Sequence, residues 1–408
     1  MSLRSSAAIA AVRLVNNASR WSGRGSGTVA GGRAGLKIDP DLLAWLAAGK
    51  RVALVSGTNG KTTTTALLRA GLEATGVVVA SNATGSNMPA GHVAALVGAR
   101  DAALACLEVD EAYLGQVVDA TQPEVVVLLN LSRDQLDRMS EVRMLAERWR
   151  TALDGAGATV VANADDPLIV HAAGTASSVV WVAGGLEWRD DAGACPSCLG
   201  AVHFDEEGPG WSCGSCGLKR PDPDWTLDSS VAVGPEGRTE LVLRLPGAFN
   251  LRNAVMALAA SSTMGIPSRS AAAAMAGVAD VAGRFVDRHV GGTPVRLMLA
   301  KNPAGWSALL DTVAEDEGAV VVSINARTAD GADPSWLFDV DFSVLAGRRV
   351  VATGDRWRDL SVRLKYAGVP HEVEEVPSAA VALAEVEHGG RVDVIGNYTA
   401  FRDLLEAT

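Results

Sequence analysis

At 408 residues the chain is longer than one ordinary hydrophobic core can organise, so two or three domains are expected. Apolar residues make up 48%, charged residues 20% and aromatic residues 5%, which is the composition of a close-packed α/β protein and excludes extensive disorder. The formal net charge of −11 excludes a general nucleic-acid binder, because such a protein needs a positive field to displace counterions from phosphate. No run approaches the ~18 apolar residues of a transmembrane helix, so a soluble, cytoplasmic protein with no transmembrane segment is expected.

The chain opens on an Ala-rich stretch, residues 5–15, with Arg4 and Arg13. It lacks the long apolar core and small-residue cleavage site of a secretory signal, and it predicts a short first helix. Residues 22–36 are rich in Gly, Ser and Arg and read as a loop leading into the body. A β-branched strand at 52–56 is followed by glycines and then by a helical pattern over 62–74. Buried strands are expected at 103–109, 125–129 and 159–162, and their alternation with helices implies a parallel sheet covered on both faces. A cysteine-containing segment, about 190–224, interrupts this alternation and reads as an insertion. The pattern resumes at 241–245 and continues through a long Ala-rich helix at 250–264. Further strands at 295–299, 319–324, 349–353 and 392–395, with helices at 307–315 and 357–367, predict a second, smaller α/β domain from about residue 287 to the end.

Gly57-Thr58-Asn59-Gly60-Lys61-Thr62-Thr63 joins the first strand to its helix, where backbone N–H groups and the helix N-terminus can cradle phosphate. Lys61 would neutralise the β and γ phosphates of ATP, and the Thr62 hydroxyl would hold Mg²⁺. The general G-x-x-x-x-G-K-[ST] pattern is incomplete, since Val55 occupies its first glycine position. Cys195, Cys198, Cys213 and Cys216 form C-x₂-C-x₁₄-C-x₂-C, a spacing suited to a tetrahedral thiolate site for Zn²⁺. Two redox C-x-x-C pairs are the competing reading, and the adjacent glycines and the lack of a strand-to-helix context weigh against it. Four thiolates fill the coordination shell, so the metal would fold the insertion and activate no water. Cys106, inside an apolar run, reads as a small core residue.

The order of motifs down the chain resembles the Mur ligase family, which includes the folylpolyglutamate synthetases. Gly57 to Thr63 is similar to that family's phosphate loop, and Leu107-Glu108-Val109-Asp110-Glu111 to its strand-end acidic motif. Asn130 to Asp137 resembles N-x-x-x-D-H-L-D, Asn163 to Pro167 matches N-x-D-D-P, and Gly247 to Ala254 matches G-x-x-N-x-x-N-A. Gly283-Arg284-Phe285 resembles the G-R-F-E hinge. The resemblance implies Glu108 as a Mg²⁺ ligand, Asn250 and Asn253 near ATP, and Arg284 at phosphate. It implies a Mur ligase-like central domain over 37–286 carrying the zinc-ribbon insertion, behind an N-terminal helix and Gly-rich loop over 1–36, with a Rossmann-like α/β domain over 287–408.

Departures place the chain apart from the amino-acid-adding members. Gln135 stands for the expected histidine and Val286 for the glutamate of G-R-F-E, and only Lys219 lies between Lys61 and Lys301, so a carbamylated lysine has no evident counterpart. Residues 299–305 replace the D-Y-A-H-x-P loop. The Cys insertion, the segment Asn325 to Asp339, Arg363 to Gly368 and Tyr398-Thr399-Ala400 resemble the MurT branch. That resemblance implies ATP-dependent amidation of the D-glutamate α-carboxylate of lipid II at the membrane surface, with ammonia from a GatD-type glutamine amidotransferase subunit. It also implies that an aspartate, Asp333 or Asp339, completes the partner's Cys-His site. An amino-acid-adding or folylpolyglutamate-type ligase is the alternative within enzymes, and a nucleotide-dependent scaffold the alternative outside them.

Overall fold

The computed structural model describes residues 3–21, 28–82, 86–133, 142–186, 188–206, 208–279, 285–314, 318–385 and 391–406. The chain divides into two compact units. The first comprises Met1–Leu131, Glu141–Leu245 and Phe249–Ala282, and the second Ser132–Ser140, Pro246–Ala248 and Gly283–Thr408.

The first unit is built on strands β1 (Arg51–Ser56), β2 (Val79–Ser81), β3 (Leu104–Glu108), β4 (Val125–Leu128), β5 (Thr159–Asn163) and β6 (Ser178–Ala183). A small hairpin of β7 (Val202–Phe204) and β8 (Trp211–Cys213) follows, then β9 (Trp225–Asp228), β10 (Val231–Gly234) and β11 (Gly237–Glu240). The main sheet has the order β11-β10-β9-β6-β5-β4-β1-β3-β2, parallel from β2 to β9 and antiparallel through β10 and β11. β1, β3 and β4 carry apolar runs over 52–55, 104–107 and 125–128 because helices cover both faces, and every residue of β3 and β4 is buried. β1 lies between β4 and β3, so the chain order reverses there and leaves a crevice at the carboxyl ends of the strands. The helix Ala248–Thr263 buries Ala254 to Ala260 against this sheet, small side chains allowing close approach.

Two expectations are corrected. The loop expected over 22–36 is helical from Thr28 to Ile38. Its glycines act as contact surface: a Cβ on Gly31 would meet Asn16, one on Gly32 the backbone of Ala90, and one on Gly35 Val12 and Leu42. Glycine's low helix propensity is thus overridden by packing that only glycine permits. Residues 241–245 form no strand, although Leu241 and Leu245 are buried, because the sheet already ends at β11.

The second unit holds β12 (Phe285–Val290), β13 (Thr293–Leu299), β14 (Val320–Ser323), β15 (Val350–Thr353), β16 (Glu372–Val373) and β17 (Val392–Gly396), in the order β12-β13-β17-β14-β15-β16. β12 and β13 are an antiparallel hairpin turned by Gly291 and Gly292, both at positive φ, as a tight two-residue turn requires. The other pairs are parallel. Val321, Val351, Val394 and Leu297 centre its own core.

Candidate nucleotide site and metal centre

The loop after β1 sits at the order reversal of the sheet. Gly57 approaches β4 so closely that a Cβ would come 2.8 Å from Leu129 Cβ. Gly60 is left-handed, φ +84°, and a Cβ there would strike Asn253 Oδ1 at 2.4 Å. Both glycines are therefore demanded by geometry. Asn130 grips the loop between them: its Oδ1 accepts from Asn59 N at 2.9 Å, its Nδ2 donates to Asn59 O at 3.0 Å, and its carbonyl accepts from Thr58 N at 2.9 Å. The helix Lys61–Glu73 begins directly after Gly60, so its first N–H groups open onto the loop.

Lys61 is buried and donates to Gly57 O at 2.5 Å and Thr58 O at 3.1 Å. Its ammonium also lies 3.1 Å from Glu111 Oε1. Burial raises the Glu111 carboxyl above its ordinary value, with the Lys61 charge acting against that rise. The acidic motif was legible in the sequence, but Glu111 as the partner of Lys61 was not, because the pairing depends on how the chain turns after β3. Glu108 is buried at the end of β3. Asn82 brackets its backbone on both sides, at 2.9 Å each, His92 Nε2 lies 2.8 Å from its carbonyl, and Asn87 Nδ2 reaches its carboxylate at 3.4 Å. Asn250 and Asn253 are buried one turn apart on the helix Ala248–Thr263, with Asn253 against Gly60. The structure thus brings the loop, Lys61, Thr62, Thr63 and Asn253 together. Arg284, Gln135 and Asp137 lie outside the described residues.

The N-x-D-D-P segment is a joint. Asp166 caps the helix Pro167–Ala173 through Leu168 N at 2.8 Å and accepts from Leu131 N at 3.0 Å, one residue beyond the loop-gripping Asn130. Burial pushes its carboxyl up to about 6 against three backbone N–H donors. Asp165 pairs with Arg220 of the insertion at 2.7 Å and accepts from Gly185 N at 2.6 Å.

That insertion leaves the sheet after β6 and returns as β9, which pairs with β6 in parallel. The four Sγ atoms of Cys195, Cys198, Cys213 and Cys216 lie within 4.8 Å of one another, with Cys195–Cys216 at 3.6 Å and Cys198–Cys213 at 3.5 Å. Tetrahedral Zn–S bonds of about 2.3 Å require S···S separations near 3.8 Å, so the set fits zinc. Both knuckles close alike: Leu199 N donates to Cys195 O and Gly217 N to Cys213 O, each donor being left-handed. The backbone N–H groups of Cys216 and Ser215 lower the Cys213 thiol, whereas Cys195 and Cys198 are raised, so among the four the backbone favours the thiolate at Cys213. Trp211 anchors the module by donating from Nε1 to Ala164 O at 3.1 Å. Lys219 is exposed on it. Cys106 is fully buried and desolvation drives its thiol far above the ordinary range, as befits a core residue.

Residues 55–191 match the Mur ligase middle domain, and residues 299–401 match the MurT ligase C-terminal domain. The lipid II isoglutaminyl synthase (glutamine-hydrolyzing) subunit MurT of Staphylococcus aureus strain COL is 30% identical over 99% of this chain and 98% of its own length. The chain belongs to the MurT family. The Streptococcus pneumoniae R6 subunit of the same name is 29% identical over 93% of both chains. Among solved structures, a pseudomurein peptide ligase type C from Methanothermus fervidus aligns with TM-score 0.67 at 19% identity, over 90% of this chain and 80% of its own, which shows the Mur ligase fold. The protein is accordingly a ligase. No helix among the described residues is long and apolar enough to cross a membrane.

In this MurT-family chain, three segments of the second unit converge on one turn after β14. Asp330 accepts from Thr399 N at 2.9 Å and from the Thr399 hydroxyl. Arg363 donates to Leu337 O at 3.0 Å and Val340 O at 2.6 Å, clasping the turn Ser335–Asp339. Trp336 stacks at 5.9 Å from the buried Trp306. Asp333 accepts from Ser335 N at 2.9 Å and is exposed. Asp339 is exposed beside an exposed Phe338, and its carboxylate lies 3.5 Å from Arg133. Arg327 pairs with Asp355 and Asp403, beyond the segment, and Asp339 with Arg133.

Proposed function

We propose that the chain is the ATP-dependent synthetase subunit that amidates the D-glutamate α-carboxylate of lipid II to D-isoglutamine, using ammonia that a GatD-type subunit releases from glutamine. The observation that carries this reading is the loop that ends in the buried Lys61 at the sheet's order reversal, walled by Asn130 and Asn253, in a chain alike over nearly its whole length to subunits named for lipid II isoglutaminyl synthesis.

A carboxylate oxygen is a poor leaving group, so amide formation needs activation. The carboxylate oxygen attacks the γ-phosphorus of ATP, the bond to ADP breaks, and an acyl phosphate forms. Ammonia then attacks the acyl carbon, phosphate leaves with the C–O bond electrons, and the nitrogen loses a proton. Lys61 offsets phosphate charge in a site shielded from water, and the N–H groups of the loop and of the helix N-terminus orient the phosphates. Thr62 and Glu108 would hold Mg²⁺, their all-oxygen donor set suiting a hard cation. When bound, that ion supplies further charge neutralisation at the phosphates. Arg284 would meet the transferred phosphate, and the Cys195, Cys198, Cys213 and Cys216 centre would hold Zn²⁺ structurally.

The test is to incubate the complex of this chain and its glutaminase partner with lipid II, glutamine and MgATP, and to weigh the stem peptide. The expected product is one mass unit lighter by amidation, with ADP and phosphate formed in equal amounts. Incorporation of a free amino acid in place of ammonia would favour the amino-acid-adding alternative.

A further inference from the structure

The first helix, Leu3–Trp21, is the outer layer of the first unit and is two-faced in an unusual sense. Ser5, Ala8, Ile9 and Val12 are buried, and Val12 packs on the helix Thr28–Ile38 at Gly31 and Gly35. On the opposite face stand large apolar side chains in the open: Leu3 is 93%, Leu14 69% and Trp21 96% exposed. At about 100° per residue, Leu14 falls within about 20° of Leu3, and Trp21 returns to the line of Leu3, so the three form one stripe. Exposed Ala7 and Ala10 lie along it. Arg4 and Arg13, both exposed, flank it on opposite sides.

Charge marks the same segment of the sequence. Residues 1–38 contain Arg4, Arg13, Arg20, Arg24, Arg33 and Lys37 and no Asp or Glu, in a chain of net charge −11. Arg33 and Lys37 are exposed, one turn apart on the second helix. The first carboxylate in the chain, Asp39, is buried and accepts from Ser5. A second copy of this chain docked symmetrically on the stripe would bring this cationic segment against itself. An anionic lipid surface instead offers the opposite charge, an apolar layer for Leu3 and Leu14, and the interfacial depth that tryptophan prefers.

We propose that the helix Leu3–Trp21 lies in the plane of an anionic membrane surface, with Leu3, Leu14 and Trp21 in the head-group and acyl boundary and Arg4 and Arg13 at lipid phosphates. The helix does not span, because its other face is committed to the protein. This deepens the lipid-linked acceptor reading and rests on it for its purpose, since it explains how a ligase with no membrane-spanning helix among its described residues reaches such a substrate.

The experiment is vesicle flotation of the full chain at 0.1 M and 0.5 M salt, on equimolar phosphatidylglycerol and phosphatidylcholine and on phosphatidylcholine alone. Wild type should float with the anionic vesicles at low salt and lose most binding at high salt or on neutral lipid. Leu14→Ser with Trp21→Ser should lower partitioning at least about tenfold, and Arg13→Gln about fivefold. With the glutaminase partner present, the double variant should amidate a short-chain, water-soluble acceptor as wild type does, yet lose activity on vesicle-embedded acceptor. If wild type fails to float, or the double variant floats equally well, the inference is overturned. A doubling of mass in light scattering that the double variant abolishes would overturn it in favour of a second copy. Loss of the soluble-acceptor reaction in wild type would instead count against the proposed function and leave the flotation result standing.

Discussion

Two loops leave the carboxyl ends of parallel strands, one after β1 and one after β14, and they are built for opposite charges. The loop after β1 is made of N–H donors, two geometrically required glycines and a buried ammonium, and its partners Asn130 and Asn253 are themselves buried or half-buried. The turn after β14 presents exposed carboxylates, Asp333 and Asp339, on a frame held by Arg363, Asp330 and Thr399. A site that must strip water from an anion has to be internal and complete, since its strength comes from a low dielectric and fixed dipoles. A carboxylate that completes another protein's site has to be presented outward on a rigid frame. The difference in burial separates an enclosed ammonium from carboxylates held in the open.

The largest effect should come from the first loop. Lys61→Ala removes the buried ammonium and leaves Glu111 without its partner at 3.1 Å. ATP-dependent amidation should fall by about 10³-fold or more, with far-ultraviolet circular dichroism unchanged. Retained turnover would break the assignment of this loop to ATP. The second effect belongs to the loop module between β6 and β9, which should be structural. Cys198→Ser and Cys213→Ala should each lose one zinc per chain by metal analysis and render the 190–224 segment sensitive to protease, whereas Cys106→Ser should keep its zinc. A ligand variant that retains one zinc per chain would contradict this.

How far each region was legible in the sequence follows the same division. The turn after β1 was legible because its shape is carried by backbone geometry, which glycine at 57 and 60 reports directly. The cysteine module was legible because thiolate spacing is itself the geometry. The Lys61–Glu111 pair and the Asp166–Leu131 bond were not, because each joins residues separated by tens of positions and depends on strand order. The helix over Thr28–Ile38 was hidden by its own glycines, which sequence propensity reads as breakers and packing uses as contact surface. β12 was missed since its partner, β13, supplies the evidence that it is a strand.

A smaller effect is expected at the outward turn. If an aspartate there orients the histidine of a partner glutaminase, substitution should lower glutamine hydrolysis by the complex and leave ATP binding by this chain alone unaltered. Asp339 is exposed, with Arg133 at 3.5 Å, and Asp333 is occupied by Ser335 N at 2.9 Å. Asp339→Asn should therefore reduce hydrolysis by roughly 10- to 100-fold, and Asp333→Asn less, because the Asn side chain preserves the turn. Full hydrolysis in both variants would remove the turn from the partner's site.

The smallest effect tests whether the inner loop owes its rigidity to the buried frame beneath it. Asp166 holds Leu131 N, Leu131 follows Asn130, and Asn130 holds Asn59, so a carboxyl remote from phosphate is linked to the loop in three steps. Burial raises the folded-state Asp166 carboxyl to about 6 from an ordinary 3.8. Below the lower value both folded and unfolded chains hold the proton, and between the two only the folded chain does. The protonated form's contribution to stability is thus complete in acid and lost as pH rises through about 6. Asp166→Asn, which cannot ionise, should erase that loss: relative to the variant, wild type should become less stable between pH 4 and 7, by on the order of 2 kcal/mol. The amide oxygen can accept from Leu168 N or from Leu131 N but not from both, and the orientation that keeps the helix cap turns the NH₂ toward Leu131 N, so nucleotide affinity should weaken by about threefold. Paired thermal melts at the two pH values and an ATP titration check both parts. Parallel pH dependence in the two proteins would show that Asp166 is ionised throughout, and an unchanged affinity would show that Asn130 holds the loop without support from below.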